Sequence, residues 1–354
     1  MSASFPISDT RHAAGYRRMT FRRALAMVGA LLVLGCFFIL DLATGPSGMP
    51  LSDVIHALLA GPSGPDRASA TIIWYLRMPQ SVMGMIVGVC LGIAGLQMQT
   101  ILDNPLASPF TLGFSAAAGF GAALSIMFGA AIPLPEYLVT PIVAFAMTLL
   151  ACLIVYLMVR ALGESPEILV LCGIGVLFLF QSLQSLLQYL ASPEVLQQIV
   201  FWLFGSLLKA NWTSVAVTGS VALFCMPLVF RDSWRLTVLR LGDANAASLG
   251  IQVADLRRRS FIIVALLTAA AVSFVGTIGF VGLVAPHVAK ALVGEDHRYS
   301  IPLAGLTGAT ILISASVFGK MISVGGVIPV GIITAVAGIP MLFLVIFARK
   351  RQEK

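Results

Sequence analysis

The sequence predicts an all-α polytopic membrane protein, and three observations lead there. Of 354 residues, 58% are hydrophobic and only 10% are charged, against ~25% charged in an ordinary soluble domain. The mean hydropathy is +0.97. The apolar residues fall in runs close to the ~20 residues that a helix needs to cross a bilayer. A soluble globule of this size could not bury so much apolar surface, which excludes soluble enzymes and nucleic-acid readers. The net charge of +7 implies membrane lipid as a partner and no nucleic acid, because the basic residues stand at the ends of apolar runs, where the positive-inside bias places them.

About ten transmembrane helices are expected, over 24–43, 79–101, 110–132, 137–161, 168–190, 213–230, 260–277, 280–294, 300–320 and 328–348. The first follows Arg17-Arg18 and Arg22-Arg23 and resembles a signal peptide, with a faint lipoprotein echo at Leu34-Gly35-Cys36. Its apolar run continues through Phe37 to Leu40, so an uncleaved span is expected. The eighth run is short for a crossing. A surface helix is expected over 51–60, inside the Gly/Pro-rich stretch 45–64, and a helix packed at the membrane face within 192–210. The five cysteines lie in apolar stretches without paired spacing and read as small core residues, with neither disulfide nor metal implied.

With ten spans and the N-terminus inside, 18 of the 22 Lys and Arg fall on the cytoplasmic side, leaving Arg67, Arg77, Lys209 and Lys320 outside. That asymmetry predicts both termini in the cytoplasm. The expected organisation is a tail over 1–23, one transmembrane domain over 24–348 with a large cytoplasmic loop at 231–259, and a tail over 349–354. No charged residue stands near the middle of a span, where it would mark an ion or proton relay, and neither a nucleotide-binding glycine loop nor an H-E-x-x-H metal motif is present. Uphill work by this protein would therefore draw its energy from another chain.

Several motifs have more than one reading. Gly84, Gly88 and Gly92 recur every fourth residue with Gly95 nearby, a pattern that lets helices approach closely, either inside one bundle or at a dimer seam. Asp103-Asn104-Pro105-Leu106-Ala107-Ser108-Pro109 breaks the helix into a tight turn, a plain loop or a gate. Gln181, Gln184 and Gln188 share one helix face, either bonding across helices or lining a watery path. In the loop 231–259, Gly242-Asp243 starts a short helix with Asp243 as N-cap and Gly250 stops it, and a second short helix follows over 253–258. This pair is a basic surface loop on anionic lipid or a docking knob for a protein. His287 lacks a second ligand at helical spacing and reads as structural, and His297 reads as a cytoplasmic turn residue.

The order of these motifs resembles the FecCD family, the permease subunits of ABC importers for iron–siderophore, haem and cobalamin. The resemblance rests on Arg77-x-Pro79, the glycine stripe, Gln97-x-Gln99 and Asn104-Pro-Leu-Ala-x-Pro109. It continues in Phe201-Trp202-x-x-Gly205-Ser206-Leu207, Leu241-Gly242-Asp243-Ala244-x-Ala246-x-Ser248-Leu249-Gly250 and Gly276-x-Ile278-Gly279-Phe280-Val281-Gly282-Leu283-Val284-x-Pro286-His287. Asp296-His297-Arg298, Pro329-Val330-Gly331 and Gly338-x-Pro340 close it.

The resemblance implies an ABC importer type II permease: a ten-helix subunit that pairs with a second copy around a central pathway in the bacterial inner membrane. Two cytoplasmic ATPase subunits, which carry ATP-Mg, and a periplasmic substrate-binding protein complete it, so this chain has no catalytic residue and no cofactor of its own. The resemblance assigns ATPase coupling to Gly242, Asp243, Ala244, Ala247, Leu249 and Gly250, a cytoplasmic gate to Asn104, Pro105, Leu106, Pro166 and Glu167, and pathway lining to Gln181, Gln184 and Gln188. It assigns binding-protein docking to Arg77 and Lys320. This sequence departs from the family at Gln80 and Ser316, where a basic and an acidic residue are usual, and at Val327, where an acidic residue is frequent. The expected cargo is a chelated metal, an iron–siderophore in first place, with haem, cobalamin and oxyanions as alternatives. A stand-alone secondary transporter and a passive channel are the rival classes; the first would need an intramembrane charge, and the second would have no use for docking helices at 231–259.

Overall fold

The computed structural model describes residues 9–46, 48–129, 132–133, 135–163, 165–322 and 326–352, with side chains from residue 17 onward except those of 136, 342 and 344–352. Parts of the expected tails 1–23 and 349–354, and the end of the expected span 110–132, lie outside the described residues. Every described element is helical. The chain begins with α1 (Asp9–Ala43), α2 (Leu51–Ala60), α3 (Arg67–Thr71) and α4 (Met78–Ile101), then α5 (Phe114–Phe128), α6 (Glu136–Leu162) and α7 (Pro166–Leu190). It continues with α8 (Pro193–Leu203), α9 (Trp212–Arg231), α10 (Ser233–Leu239), α11 (Asp243–Ser248) and α12 (Val253–Val275). The last three are α13 (Val281–Val293), α14 (His297–Ile322) and α15 (Val330–Gln352).

Seven of these are long and apolar enough to cross a membrane: α1, α3 running into α4, α6, α7, α9, α12 and α14. The three other expected spans coincide with α5, α13 and α15, of which α5 has 15 residues and α13 has 13. At ~1.5 Å per residue α13 is ~20 Å long, short of a ~30 Å hydrocarbon core. The expected break between 258 and 260 is corrected: α12 runs without interruption from Val253, because Asp255 suits the first turn and neither Pro nor Gly occurs until Gly276. The helix that carries the first span likewise begins at Asp9 rather than residue 24, so most of the expected tail is helical.

α3 and α4 are joined by a π-helical stretch, Ile72–Arg77. Pro79 explains it, since its ring crowds the carbonyl four residues back. The ladder widens instead, and the Met78 N–H reaches the Ile73 carbonyl.

α4 is the centre of the bundle. Its most apolar stretch is 78% buried, with α12 at 72% and α14 at 67%, whereas α1 is 17% and α6 and α7 are each 28% buried. The glycine stripe decides this arrangement, and it faces α14 within the same chain. A Cβ on Gly88 would lie 2.5 Å from the Gly308 carbonyl oxygen, one on Gly92 2.2 Å from that of Ala304, and one on Gly308 2.2 Å from that of Gly88. Two backbones thus touch directly, which is how membrane helices gain dispersion energy where hydrophobicity cannot drive association. Gly95 continues the contact onto Gly282 of α13.

At one end of the bundle three irregular segments meet. Ser206 N–H donates to the Val275 carbonyl at 2.7 Å, Gly331 N–H to the Gly205 carbonyl at 3.2 Å, and the Thr277 hydroxyl to the Leu203 carbonyl. Gly205 and Gly276 have φ of +68° and +78°, and a Cβ on Gly276 would lie 2.1 Å from the Trp202 carbonyl oxygen. Residues 276–280, between α12 and the short α13, are non-helical and buried or half-buried within the bundle. Non-helical backbone is tolerated there because neighbouring protein satisfies its polar groups.

The glycine contact yields a prediction with an internal control. Gly92→Ala and Gly308→Ala should each lower the thermal midpoint of the detergent-solubilised protein, by an overpacking cost of ~1–3 kcal/mol. Gly29→Ala and Gly35→Ala, where a Cβ meets nothing within 4 Å, should leave it unchanged or raised. Equal midpoints in both pairs would show that the helices tolerate separation.

Candidate coupling and gating site

The end of the bundle that carries Arg23, the 102–113 loop, α10, α11 and the turn at 294–297 concentrates the predicted functional residues. α11 is a six-residue helix whose Ala244 and Ala247 are exposed, with Leu249 just beyond it 64% exposed, while Ala246 turns inward and is fully buried. It ends as expected at Gly250, with φ of +80°. Its start differs from the expectation. Gly242, at φ +93°, holds the N-cap position, and Asp243 makes no cap bond, because its carboxylate is engaged elsewhere.

That partner is Arg257, which the sequence did not single out. Its Nη1 and Nη2 donate to the two Asp243 oxygens at 2.7 Å each, an end-on fork. Its Nε donates to the Ile101 carbonyl at 3.0 Å. Arg257 is buried, whereas the Asp243 side chain is 52% exposed. A narrow cleft between α6, α7 and α12 is lined by Tyr156, Ser165, Leu169 and Phe261 with Arg257, so the N-cap of α7 lies on the same feature.

Immediately after Ile101 the chain turns sharply. Asp103 adopts φ of +44°, unusual without glycine. Asn104 accepts the Leu106 N–H at 2.9 Å on its side-chain oxygen and the Ala107 N–H at 3.1 Å on its carbonyl, so it shapes the turn on both sides of Pro105. Leu106 projects with 47% exposure. Ser108 and Thr111 then form a reciprocal cap around a 3₁₀ turn, Pro109–Leu112, which seats Leu112 against Gly173 of α7. Pro166 and Glu167 open α7 behind the Ser165 cap, with Glu167 exposed at a helix N-terminus that favours a carboxylate.

The same end is closed by a second clamp. His297, expected as a cytoplasmic turn residue, is fully buried as the first residue of α14. Its Nε2 lies 2.8 Å from the Thr100 hydroxyl of α4 and its Nδ1 3.4 Å from that of Thr237 in α10. Three short polar groups therefore join three helices where water is scarce, a pattern invisible in sequence because each lies in a different segment. His287 Nδ1 lies 2.8 Å from its own Leu283 carbonyl, and Lys290 donates to Gln99 at 2.9 Å. Arg23 joins α1 to this end by donating to the Val293 carbonyl at 3.0 Å and stacking 4.6 Å from the Tyr299 ring centroid. Hydrogen bonding from Arg298, against a smaller opposing effect of burial, holds the Asp296 carboxyl below the ordinary carboxylate range.

The three glutamines of α7 do not behave alike. Gln181 is exposed and Gln184 and Gln188 are half-buried, with the Gln184 amide lying over Gly119 of α5. The stripe marks the border between the packed face of α7 and the face bearing Leu171, Phe178 and Tyr189, all exposed.

At the opposite end, Arg77 and Lys320 correct an expectation. Both are turned inward. Arg77 donates to the Leu42 and Ala43 carbonyls at 2.6 and 3.0 Å, covering the C-terminus of α1. Lys320 donates to the Asp41 carboxylate at 2.8 Å and to its carbonyl at 3.1 Å, and Asp41, fully buried, also accepts from Ser81. The last-turn carbonyls of α1 attract the cations, a helix C-terminus being negative. Of the four basic residues assigned to this side, Arg67 and Lys209 are the exposed ones. Among the described residues, no group of three or more His, Cys, Asp or Glu is placed to hold a metal ion.

Residues 31–348 match the FecCD transport family model. The chain belongs to the FecCD transport family. It is similar to the ferric enterobactin transport system permease protein of Escherichia coli K12, 35% identical over 343 residues, covering 93% of this chain and 97% of that one. It is also similar to the molybdate import system permease protein of Haemophilus influenzae, 32% identical over 287 residues, covering 81% and 84%. Among solved structures, a metal-chelate type ABC transporter in an inward-facing conformation matches with a TM-score of 0.78 and 29% identity, covering 91% of this chain and 98% of the other. This FecCD chain is thus a multi-pass ABC importer permease, whose family leaves ATP hydrolysis to a separate subunit.

The Asp41–Lys320 pair gives the second prediction. Lys320→Met strands a buried carboxylate and should cost ~3–5 kcal/mol, seen as a lower thermal midpoint. Adding Asp41→Asn should recover much of the loss. A single Lys320→Met variant as stable as wild type would show the pair to be dispensable.

Proposed function

We propose that this chain pairs with a second copy in the bacterial inner membrane, both termini cytoplasmic, and imports a chelated metal, an iron–siderophore in first place. Two cytoplasmic ATPases carrying ATP-Mg dock on α11, and a periplasmic binding protein delivers the cargo at the far end. The observation that carries this reading is α11 itself: a short helix with small exposed residues, linked through Arg257 to the end of α4 that leads into the Asn104–Pro105–Leu106 turn. A passive channel has no use for such a knob.

Transport proceeds by alternating access, driven by the different affinity of the ATPase pair for two permease states. Leu106, held out by the Asn104 turn, narrows the exit with its counterpart in the second copy. Pro166 and Glu167 form the adjoining rim, and the paired Glu167 carboxylates favour neutral or cationic cargo over strongly anionic cargo. Gln181 and Gln188 border the water-filled path. Because Arg77 and Lys320 are committed inside the fold, Arg67 and Lys209 are the cations that meet binding-protein carboxylates, while Arg77 and Lys320 brace the surface behind them.

Two experiments test this. In proteoliposomes containing the permease, its ATPase and the binding protein, ferric siderophore should accumulate only with ATP, and Ala247→Arg should abolish both ATPase copurification and accumulation. Accumulation without the ATPase would instead establish a stand-alone transporter. For the gate, Leu106→Ala should raise passive efflux from preloaded, ATP-free vesicles severalfold, while retention equal to wild type would reduce the 104–106 segment to a turn.

A further inference from the structure

We propose that Arg257 is the positioning residue that transmits movement of α11 to the gate. This rests on the docking and gating roles proposed above. The geometry is specific: one planar guanidinium spends two donors on Asp243 of the exposed helix and a third on the Ile101 carbonyl, the last residue of α4. The four terminal carbonyls of a helix have no partner within it, and a cation is favoured at that end. Ile101 is therefore a natural anchoring point, and two residues later Asp103 takes the strained turn into Asn104 and Leu106.

Arginine is required because its donors are fixed in one plane, so a displacement of the Asp243 carboxylate tilts the whole guanidinium and with it the bond to Ile101. A lysine ammonium could reach one of the two partners but could not hold both as a rigid fork. Arg257 also stands near the start of α12, one of the most buried helices, so its base is fixed while its tip bridges α11 and the end of α4. The second clamp, His297 with Thr100 and Thr237, holds α4 to α10 and α14 without touching α11. It supplies a fixed support, and Arg257 supplies the link to the exposed helix.

The test compares Arg257→Gln, Arg257→Lys and Asp243→Asn in the assembled transporter. Expected in Arg257→Gln and Arg257→Lys is ATPase copurification at the wild-type ratio, with at least tenfold less transport per ATP hydrolysed in Arg257→Gln and an intermediate loss in Arg257→Lys. The Arg257→Gln/Asp243→Asn double variant should be no worse than Arg257→Gln alone, since both remove one linkage.

Position is read by pulsed electron-spin distances between the two copies, with labels at Ser248 of α11 in one series and at Leu106 in another. In wild type both distances should change on ATP binding; in Arg257→Gln only the Ser248 distance should change. A Leu106 distance that still follows nucleotide in Arg257→Gln, or that follows it with the full wild-type change in Arg257→Lys should the former not reach the membrane, overturns the proposal. Should wild type itself neither bind the ATPase nor transport, the docking role fails, an outcome distinct from failure of the linkage.

Discussion

The direct contact of the α4 and α14 backbones is the constraint from which the rest of the bundle follows. With hydrogen in place of side chains at Gly88, Gly92 and Gly308, two long helices close to backbone distance and become the inner wall against which α12 and α13 pack. Any residue larger than glycine there would hold the axes apart. The more lipid-facing helices α1, α6 and α7 then add to a core that is already formed, which explains why they keep most of their apolar surface exposed.

The same inner wall permits irregularity where the membrane would otherwise forbid it. Backbone groups without helical partners cost several kcal/mol in hydrocarbon, yet residues 276–280 and 204–206 leave the helical ladder beside α15. They do so by bonding to one another. Phe280, at φ of +64°, is held by its contact with Gly338, where a Cβ would lie 2.4 Å from the Phe280 side chain. A strained residue persists only where its surroundings over-determine it, and here the glycine at 338 makes the room.

The sequence disclosed most of the helices and their order, because apolar runs and helix breakers are local signals. The 51–60 surface helix, the shortness of the eighth segment and the Gly250 stop could be read directly. Partnerships between distant segments could not. Asp243 looks like an N-cap because Asp commonly is one; only the approach of Arg257, fourteen residues later, shows its carboxylate to be otherwise engaged. Arg77 and Lys320 look like surface cations because they lie at span ends. Their burial depends on the C-terminus of α1 arriving beside them, roughly 35 and 280 residues away in the chain. His297 escaped for the same reason, since Thr100 and Thr237 belong to other helices.

The two ends of the bundle differ in how they use charge. At the Arg77 end the ions around the C-terminus of α1 are internal, and Asp41, Lys320 and Arg77 lock α1 to the neighbouring helices. At the α11 end most carboxylates remain partly in water while the arginine beneath them is buried, as with Asp243 above Arg257. A buried pair resists change, because removing either member leaves an uncompensated ion. A pair that is half in water can be displaced at small cost, since water takes up whatever solvation its partner gives up. The ions are therefore locked inside the fold where α1 joins α4 and α14, and stand partly in water where α11 meets the end of α4.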